Sequence, residues 1–449
     1  MIRKLTLLVA LLCVHAYASA VNYLTFTAGE DNAGFGIGVW GPVDSYIEYS
    51  LDGGDTWNEL VPNDTVFIPK RGDKAILRGD NPRGLSVDGD NYIRFIMTDS
   101  IAASGSVMSL LDGVGESKTI PSSECFTSLF SGCYCLTQAP ELPATTLSRG
   151  CYAYMFANCI HLTQAPELPA TELVEGCYSG MFFRCTGLTQ APVLPALKVP
   201  SGSYVNMFSR CSVLKEAPAL PAMELSPLCY EGMFSDCSSL TQAPELPATT
   251  LADNCYDKMF QYCTSLTQAP ALPATQMVTG CYDRMFMGCT SLTQAPELHN
   301  TDVRADSCCN RMFDGCSNLS LIKVNFTEWT RWTRAWVSGV ASTGTFVCPK
   351  TLAEEYGEYR IPEGWKMVDL DEWTSTQSVD AAHCDIWAEG LSLFVRGAEG
   401  RIEVYDLNGR LLRSAQGSAD ETVRFVLPGK GTYVVRTGEK SVRIMNYEF

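Results

Sequence analysis

Histidine is scarce in this chain, with four in 449 residues, and one of those, His15, lies within the first twenty. No Cys-x2-Cys pair occurs among the 20 cysteines. Both shortages argue against a zinc site, which draws on those spacings. Positive charge is also short: 33 Lys and Arg face 50 Asp and Glu, a formal net charge of -17. Phosphate binding needs a basic face, so nucleic acid is excluded as a partner. There is no Gly-rich phosphate loop and no Ser/His/Asp arrangement. The acidic residues are scattered, with nothing to mark a carboxylate pair for glycoside cleavage. The sequence therefore assigns no catalytic residue, no cofactor and no metal. Past the first twenty residues no apolar run is long enough to span a bilayer, so no transmembrane segment is expected in the mature chain.

What is present begins with a secretory pattern. Arg3 and Lys4 precede an apolar stretch, Leu5 to Val14, and Ala18-Ser19-Ala20 offers the small residues of a cleavage site. Residues 1–20 read as a signal peptide. Cys13 follows Leu12 where a lipoprotein would carry a small residue, which favours ordinary cleavage after Ala20. The length implies several domains.

A repeat dominates the middle of the chain. Eight copies start at Cys125, Cys151, Cys177, Ser203, Cys229, Cys255, Cys281 and Cys308, spaced 26 residues apart except for a last interval of 27. A fixed period in the twenties marks a solenoid, whose single unit buries too little to fold alone. Within each copy Cys-Tyr-x-x-Met-Phe-x-x-Cys reads as an amphipathic helix of about two turns, its five named positions within roughly 140° of arc. The return run, "LTQAPELPA", carries Pro140 and Pro143, which exclude a helix and a ladder-donating strand. A short strand or polyproline-like piece is expected there.

The recurring Met155-Phe156…Cys159…Leu162, seen again as Met259-Phe260…Cys263…Leu266, resembles the core of the BspA-like leucine-rich-repeat surface proteins. Ala139-Pro140 stands where such repeats carry alternating apolar residues. The resemblance implies an α/β solenoid of leucine-rich-repeat type, eight 26-residue repeats over 119–324. It also implies adhesion to host matrix proteins or to other cells.

The cysteines admit three readings. Nineteen follow residue 20, and fourteen form seven Cys-x7-Cys pairs. If the segment is helical, its two cysteines lie about 12 Å apart, beyond the roughly 7 Å a disulfide spans. Ser203 also stands in the first position while Cys211 is kept. Small buried hydrophobes in columns are the favoured reading, ahead of disulfides between repeats and of a metal site.

The flanks differ in kind. Residues 21–118 alternate as a β-rich domain. Ser50-x-Asp52-Gly53-Gly54-x-Thr56-Trp57 is similar to the Asp-box of sialidases, and a hairpin turn accounts for a single copy. Arg-Gly-Asp occurs twice, at Arg71-Gly72-Asp73 and Arg78-Gly79-Asp80, and the second is carried as a candidate integrin motif. Residues 325–375, rich in tryptophan, read as a cap on the end of the solenoid, residues 376–382 as a linker, and 383–449 as a small C-terminal β-sandwich. This tail resembles the C-terminal sorting domain of type IX secretion cargo. The matching residues are Val404-Tyr405-Asp406, Gly409, Gly431, Tyr433 and Lys440. It implies export across a Gram-negative outer membrane by that machinery and a secreted or surface-attached protein.

The candidate ligand face is a double column, Thr137, Thr163, Thr189, Thr241, Thr267 and Thr293 beside Gln138, Gln164, Gln190, Gln242, Gln268 and Gln294. Copy four replaces it with Lys215-Glu216. The columns read equally well as a ligand face or as ladders that bond one repeat to the next. The function expected is non-enzymatic binding of a protein or glycan on host or neighbouring cells. A carbohydrate-active protein and a structural envelope component are the alternatives.

Overall fold

The computed structural model describes residues 21–373, 385–389, 392–398, 400–405, 410–418, 421–428, 431–437 and 440–446. The expected signal peptide (1–20) and linker (376–382) lie outside the described residues. The chain divides into two compact units that part between Met367 and Val368. Strand, turn and loop make up nearly all of it. Among the described residues α-helix is limited to α1 (Ser109–Asp112) and residues 370–373.

The first unit opens with β1 (Leu24–Ala28), β2 (Ala33–Trp40), β3 (Ile47–Ser50), β4 (Asn58–Glu59), β5 (Val66–Ile68), β6 (Lys74–Gly79), β7 (Tyr92–Met97) and β8 (Ile101–Ser104). Alternation sets the faces: in "LTFTA" Leu24, Phe26 and Ala28 are buried and the threonines are not. One sheet runs β4-β3-β6-β1-β8 and the other β5-β2-β7. Between them Phe26 meets Phe35 and Phe95 edge to face, with centroids 5.3 and 5.1 Å apart. β9 (Leu136–Gln138), from the first repeat, joins β8 in parallel, with Leu136 opposite Ile101.

The helix expected over Cys-Tyr-x-x-Met-Phe-x-x-Cys is absent, which corrects the α/β reading. The segment is a run of tight turns. Alternate amides bond back three residues: Ala153 to Gly150 O, Met155 to Tyr152 O, Ala157 to Tyr154 O, Cys159 to Phe156 O. The amides between them bond forward to the next repeat: Gly150 to Glu175 O, Tyr152 to Cys177 O, Tyr154 to Ser179 O, Phe156 to Met181 O and Asn158 to Phe183 O, at 2.7–3.0 Å. Every fourth residue adopts positive φ, here Gly150 (60°), Tyr154 (53°) and Asn158 (62°), the arrangement that type II turns require. The same three positions recur with positive φ in all eight repeats. Inward residues therefore come in pairs, Cys151-Tyr152 and Met155-Phe156, then Cys159, all buried. A helix would satisfy its own amides, whereas here half of them are spent on the neighbouring repeat. Gly180 shows how close that neighbour is: a Cβ there would run into the ring of Tyr154.

Burial in register produces two aromatic columns. The rings of Phe130, Phe156, Phe182, Phe208, Phe234, Phe260, Phe286 and Phe313 lie 5.5–5.8 Å apart. The tyrosines from Tyr152 to Tyr282 follow at 5.7–6.2 Å, within the range of favourable aromatic pairs. The Phe column starts on Phe95 of β7, 5.0 Å from Phe130. It ends on Trp336, which is fully buried and tilted 55° to Phe313. Trp336 also meets Trp329 and Phe346 edge-on or tilted and donates to Arg360 O. One hydrophobic cluster thus runs from Leu24 to Trp365.

The return run is sparsely structured. β10 (Lys198–Val199) pairs in parallel with β11 (Glu224–Leu225), and beyond the repeats β12 (Leu321–Lys323), β13 (Thr345–Cys348) and β14 (Lys366–Asp369) form a small sheet.

The second unit carries β15 (Asp385–Glu389), β16 (Ser392–Arg396), β17 (Gly400–Tyr405), β18 (Leu411–Gly417), β19 (Thr422–Val426), β20 (Gly431–Thr437) and β21 (Lys440–Asn446). They form two antiparallel sheets, β15-β16-β19 and β18-β17-β20-β21. Leu393, Val395, Ile402, Val404, Phe425, Tyr433 and Val435 fill the core between them.

Candidate functional site

The twelve residues of the Thr-Gln columns are all exposed, but the two columns are chemically unlike. Three threonines spend their hydroxyls on the preceding strand or repeat. Thr137 Oγ1 donates to Ile101 O (3.1 Å), Thr189 Oγ1 to Thr163 O (3.0 Å) and Thr267 Oγ1 to Thr241 O (3.2 Å). The six glutamine carboxamides make no side-chain hydrogen bond to any described residue. The two alternatives left open by the sequence thus divide: threonine is partly ladder, and glutamine is a free row of donors and acceptors.

The ladder is also discontinuous. Backbone bonds join Thr189 to Thr163, Thr241 to Lys215, Thr267 to Thr241, and Ser320 to Thr293. Parallel bridges join Gln164 to Gln190, Glu216 to Gln242, Gln242 to Gln268 and Gln294 to Leu321. Among the described residues nothing equivalent links Gln138 to Gln164, Gln190 to Glu216, or Gln268 to Gln294. In the fourth repeat Lys215 lacks the hydroxyl that reinforces the Thr189 and Thr267 joints. Thr293 keeps its hydroxyl and is still unjoined to Thr267, so the side chain alone does not decide it.

The cysteines are core. Among the eighteen cysteines of the described residues no two are joined to each other by a disulfide, and all but Cys135 are buried. The second of each pair has a defined partner: Cys159 Sγ donates to Phe130 O, Cys185 to Phe156 O, Cys211 to Phe182 O and Cys237 to Phe208 O, at 3.0–3.2 Å. In the first column Ser203 substitutes by donating to Val174 O and Pro200 O. Loss of solvation for the thiolate pushes Cys133, Cys185 and Cys237 up to about 12. Such thiols are poor nucleophiles at neutral pH. The helical-span argument against a bond within one repeat does not apply, because the segment is not a helix. Among the described residues no group of three His, Cys, Asp or Glu is placed to hold a metal ion.

The two Arg-Gly-Asp tripeptides are in different settings. Arg78 and Gly79 belong to β6. Arg78 pairs with Glu48 at 2.8 Å and lies 3.9 Å from the Trp57 ring, while Asp80 bridges Asp112. That tripeptide is strand, held from both sides. Arg71-Gly72-Asp73 instead sits at an exposed turn with Gly72 at φ 88°. In the Asp-box segment Ser50 Oγ and the Thr56 amide both donate to Asp52, whose carboxyl is held well below its usual range by those bonds. That carboxylate closes its own turn.

Of the residues that carry the resemblance to a sorting domain, Tyr433 is in the core, Tyr405 Oη donates to Glu403 (2.7 Å), Gly431 starts β20 and Lys440 starts β21. Asp406 and Gly409 lie outside the described residues. Among those residues no helix is long and apolar enough to cross a membrane.

Residues that sequence reasoning missed cluster in the third and fourth repeats. Where other repeats carry Glu141, Glu167, Glu245 and Glu297, the third has Val193, and where others carry Thr145, Thr171, Thr249 and Thr275, Leu197 and Met223 appear. They are 80%, 65% and 52% exposed. The departures from the column residues were visible in the aligned copies. Their exposure was not.

No family model, no curated protein and no solved structure matches this chain.

Proposed function

We propose that this chain is a non-enzymatic binding protein, secreted or attached to the outer surface of a Gram-negative cell, that adheres through its repeats. In this reading the repeats form one solenoid of the BspA-like kind, capped by the tryptophan-rich segment. The C-terminal unit serves export by the type IX route. The partner is a protein on a host or neighbouring cell. The observation that carries it is the row of exposed glutamine carboxamides without partners in the fold, on a rigid core whose thiols and rings are inward. Trp336 and Trp365 are buried, which takes them from a sugar-stacking role and favours protein over glycan. The test is adhesion. The purified mature chain is presented to immobilised matrix proteins, mucin and whole cells. Saturable binding that falls when Gln190, Gln242 and Gln268 are changed together to alanine supports the reading. Failure to bind any of these surfaces overturns it.

A further inference from the structure

Three features converge at the joint between the third and fourth repeats. The first is a break in the ladder: Thr189 O and the Lys215 amide have no backbone partner among the described residues, because the Gln190–Glu216 link is missing. The second is a cleft of about 620 Å³ at that break, lined by residues 189–195 of one repeat and 215–219 and 221 of the next. The third is chemistry. Val193 stands where four other repeats carry Glu, Leu197 and Met223 stand where others carry Thr, and Lys215-Glu216 replaces Thr-Gln. The far side of the joint is pinned. β10 pairs with β11, Ser226 N bonds Val199 O at 3.1 Å, and Lys198 meets Glu224 at 3.1 Å. The cleft is thus open on one edge and braced on the other, with Leu194 and Leu220 anchoring its walls in the core.

Resting on the binding reading above, we infer that this cleft is the specificity-determining site and that it takes an extended, largely apolar polypeptide segment of a partner protein. An extended chain offers the main-chain N–H and C=O groups that Thr189 and Lys215 leave unmatched. Its apolar side chains cover Val193, an exposed apolar residue on the cleft wall. Lys215 and Glu216 present one charge of each sign, which sets direction along the bound chain. No aromatic ring lines the cleft, so the flat platform that holds a sugar is absent there.

The test uses the full mature chain, panned with a phage-displayed library of random linear peptides and, separately, applied to a glycan array. Apolar peptides are expected to be recovered. A variant carrying Val193→Glu, Leu197→Thr, Met223→Thr, Lys215→Thr and Glu216→Gln restores the residues other repeats use, so it is expected to fold, as far-UV circular dichroism and Tm would check. It should bind those peptides about tenfold or more weakly, as loss of a central anchor does. A second variant with Glu167→Val and Thr171→Leu, which puts the same apolar residues into the second repeat, should retain the affinity. Recovery of no peptide, or equal affinity in the restored variant, overturns the inference. Glycan binding that the restored variant loses overturns the peptide class. Matrix-protein adhesion that survives the restored variant removes this cleft while leaving the broader adhesion reading intact.

Discussion

Each repeat has two edges, and they are built on different terms. The turn edge, Cys-Tyr-x-x-Met-Phe-x-x-Cys, is nearly invariant, and repeat two alone sends five backbone bonds to repeat three there. The Thr-Gln edge shares the same spacing but is joined at some repeats and open at others. The turn edge thus carries the cohesion, through backbone bonds, ring columns and thiol–carbonyl contacts. The other edge is released from that duty and tolerates substitutions such as Lys215, Val193 and Met223.

Alkali should break the comparison most completely. The thiols of Cys133, Cys185 and Cys237 titrate near 9.0 when solvated and near 12 in the fold. The folded chain therefore keeps protons that the unfolded chain releases. This stabilisation is full below about pH 9 and is lost as pH rises towards 12. Tm measured from neutral pH upward should fall across that window, with labelling of the buried thiols appearing only as the chain unfolds. A flat profile would mean the thiols are not a buried column.

Phe208→Ala comes next. It opens a cavity between Phe182 and Phe234 in the middle of the column, and a loss of about 3–5 kcal/mol is expected in denaturant unfolding. A loss below about 1 kcal/mol would show the rings to be incidental to cohesion.

Thr267→Val tests the other edge. It removes the 3.2 Å bond to Thr241 O and should cost about 0.5–1.5 kcal/mol in the same unfolding measurement. Gln242→Ala removes no bond within the fold and should stay within about 0.5 kcal/mol of the parent. Equal costs for the two would erase the division of labour between the Thr and Gln columns.

The aligned copies made much of this legible. Cys151, Tyr152, Met155, Phe156 and Cys159 are the inward residues, as their recurrence suggested, and the fourth repeat stood out through Ser203 and Lys215-Glu216. The pattern predicts a helix because paired inward positions four residues apart mimic a helical stripe over so short a segment. The local cue to turns was there, since Gly150, Gly176, Gly202 and Gly280 each stand just before the first cysteine position. Tyr154 and Arg184 at positive φ carry no such cue.

By itself, then, the amino-acid order determined the period, the identity of the core columns and the alternation of the flanking strands, because these follow from which side chains avoid water. Tertiary structure decided the turn conformation, the partner of each second-column thiol, the split between bonded threonines and free glutamines, and which Arg-Gly-Asp is presented. The physical reason is one of sequence distance. In the repeats the deciding bonds join residues 25 or more apart. Arg78 and Glu48 are likewise 30 residues apart. No local propensity records a bond that forms only when distant segments lie side by side.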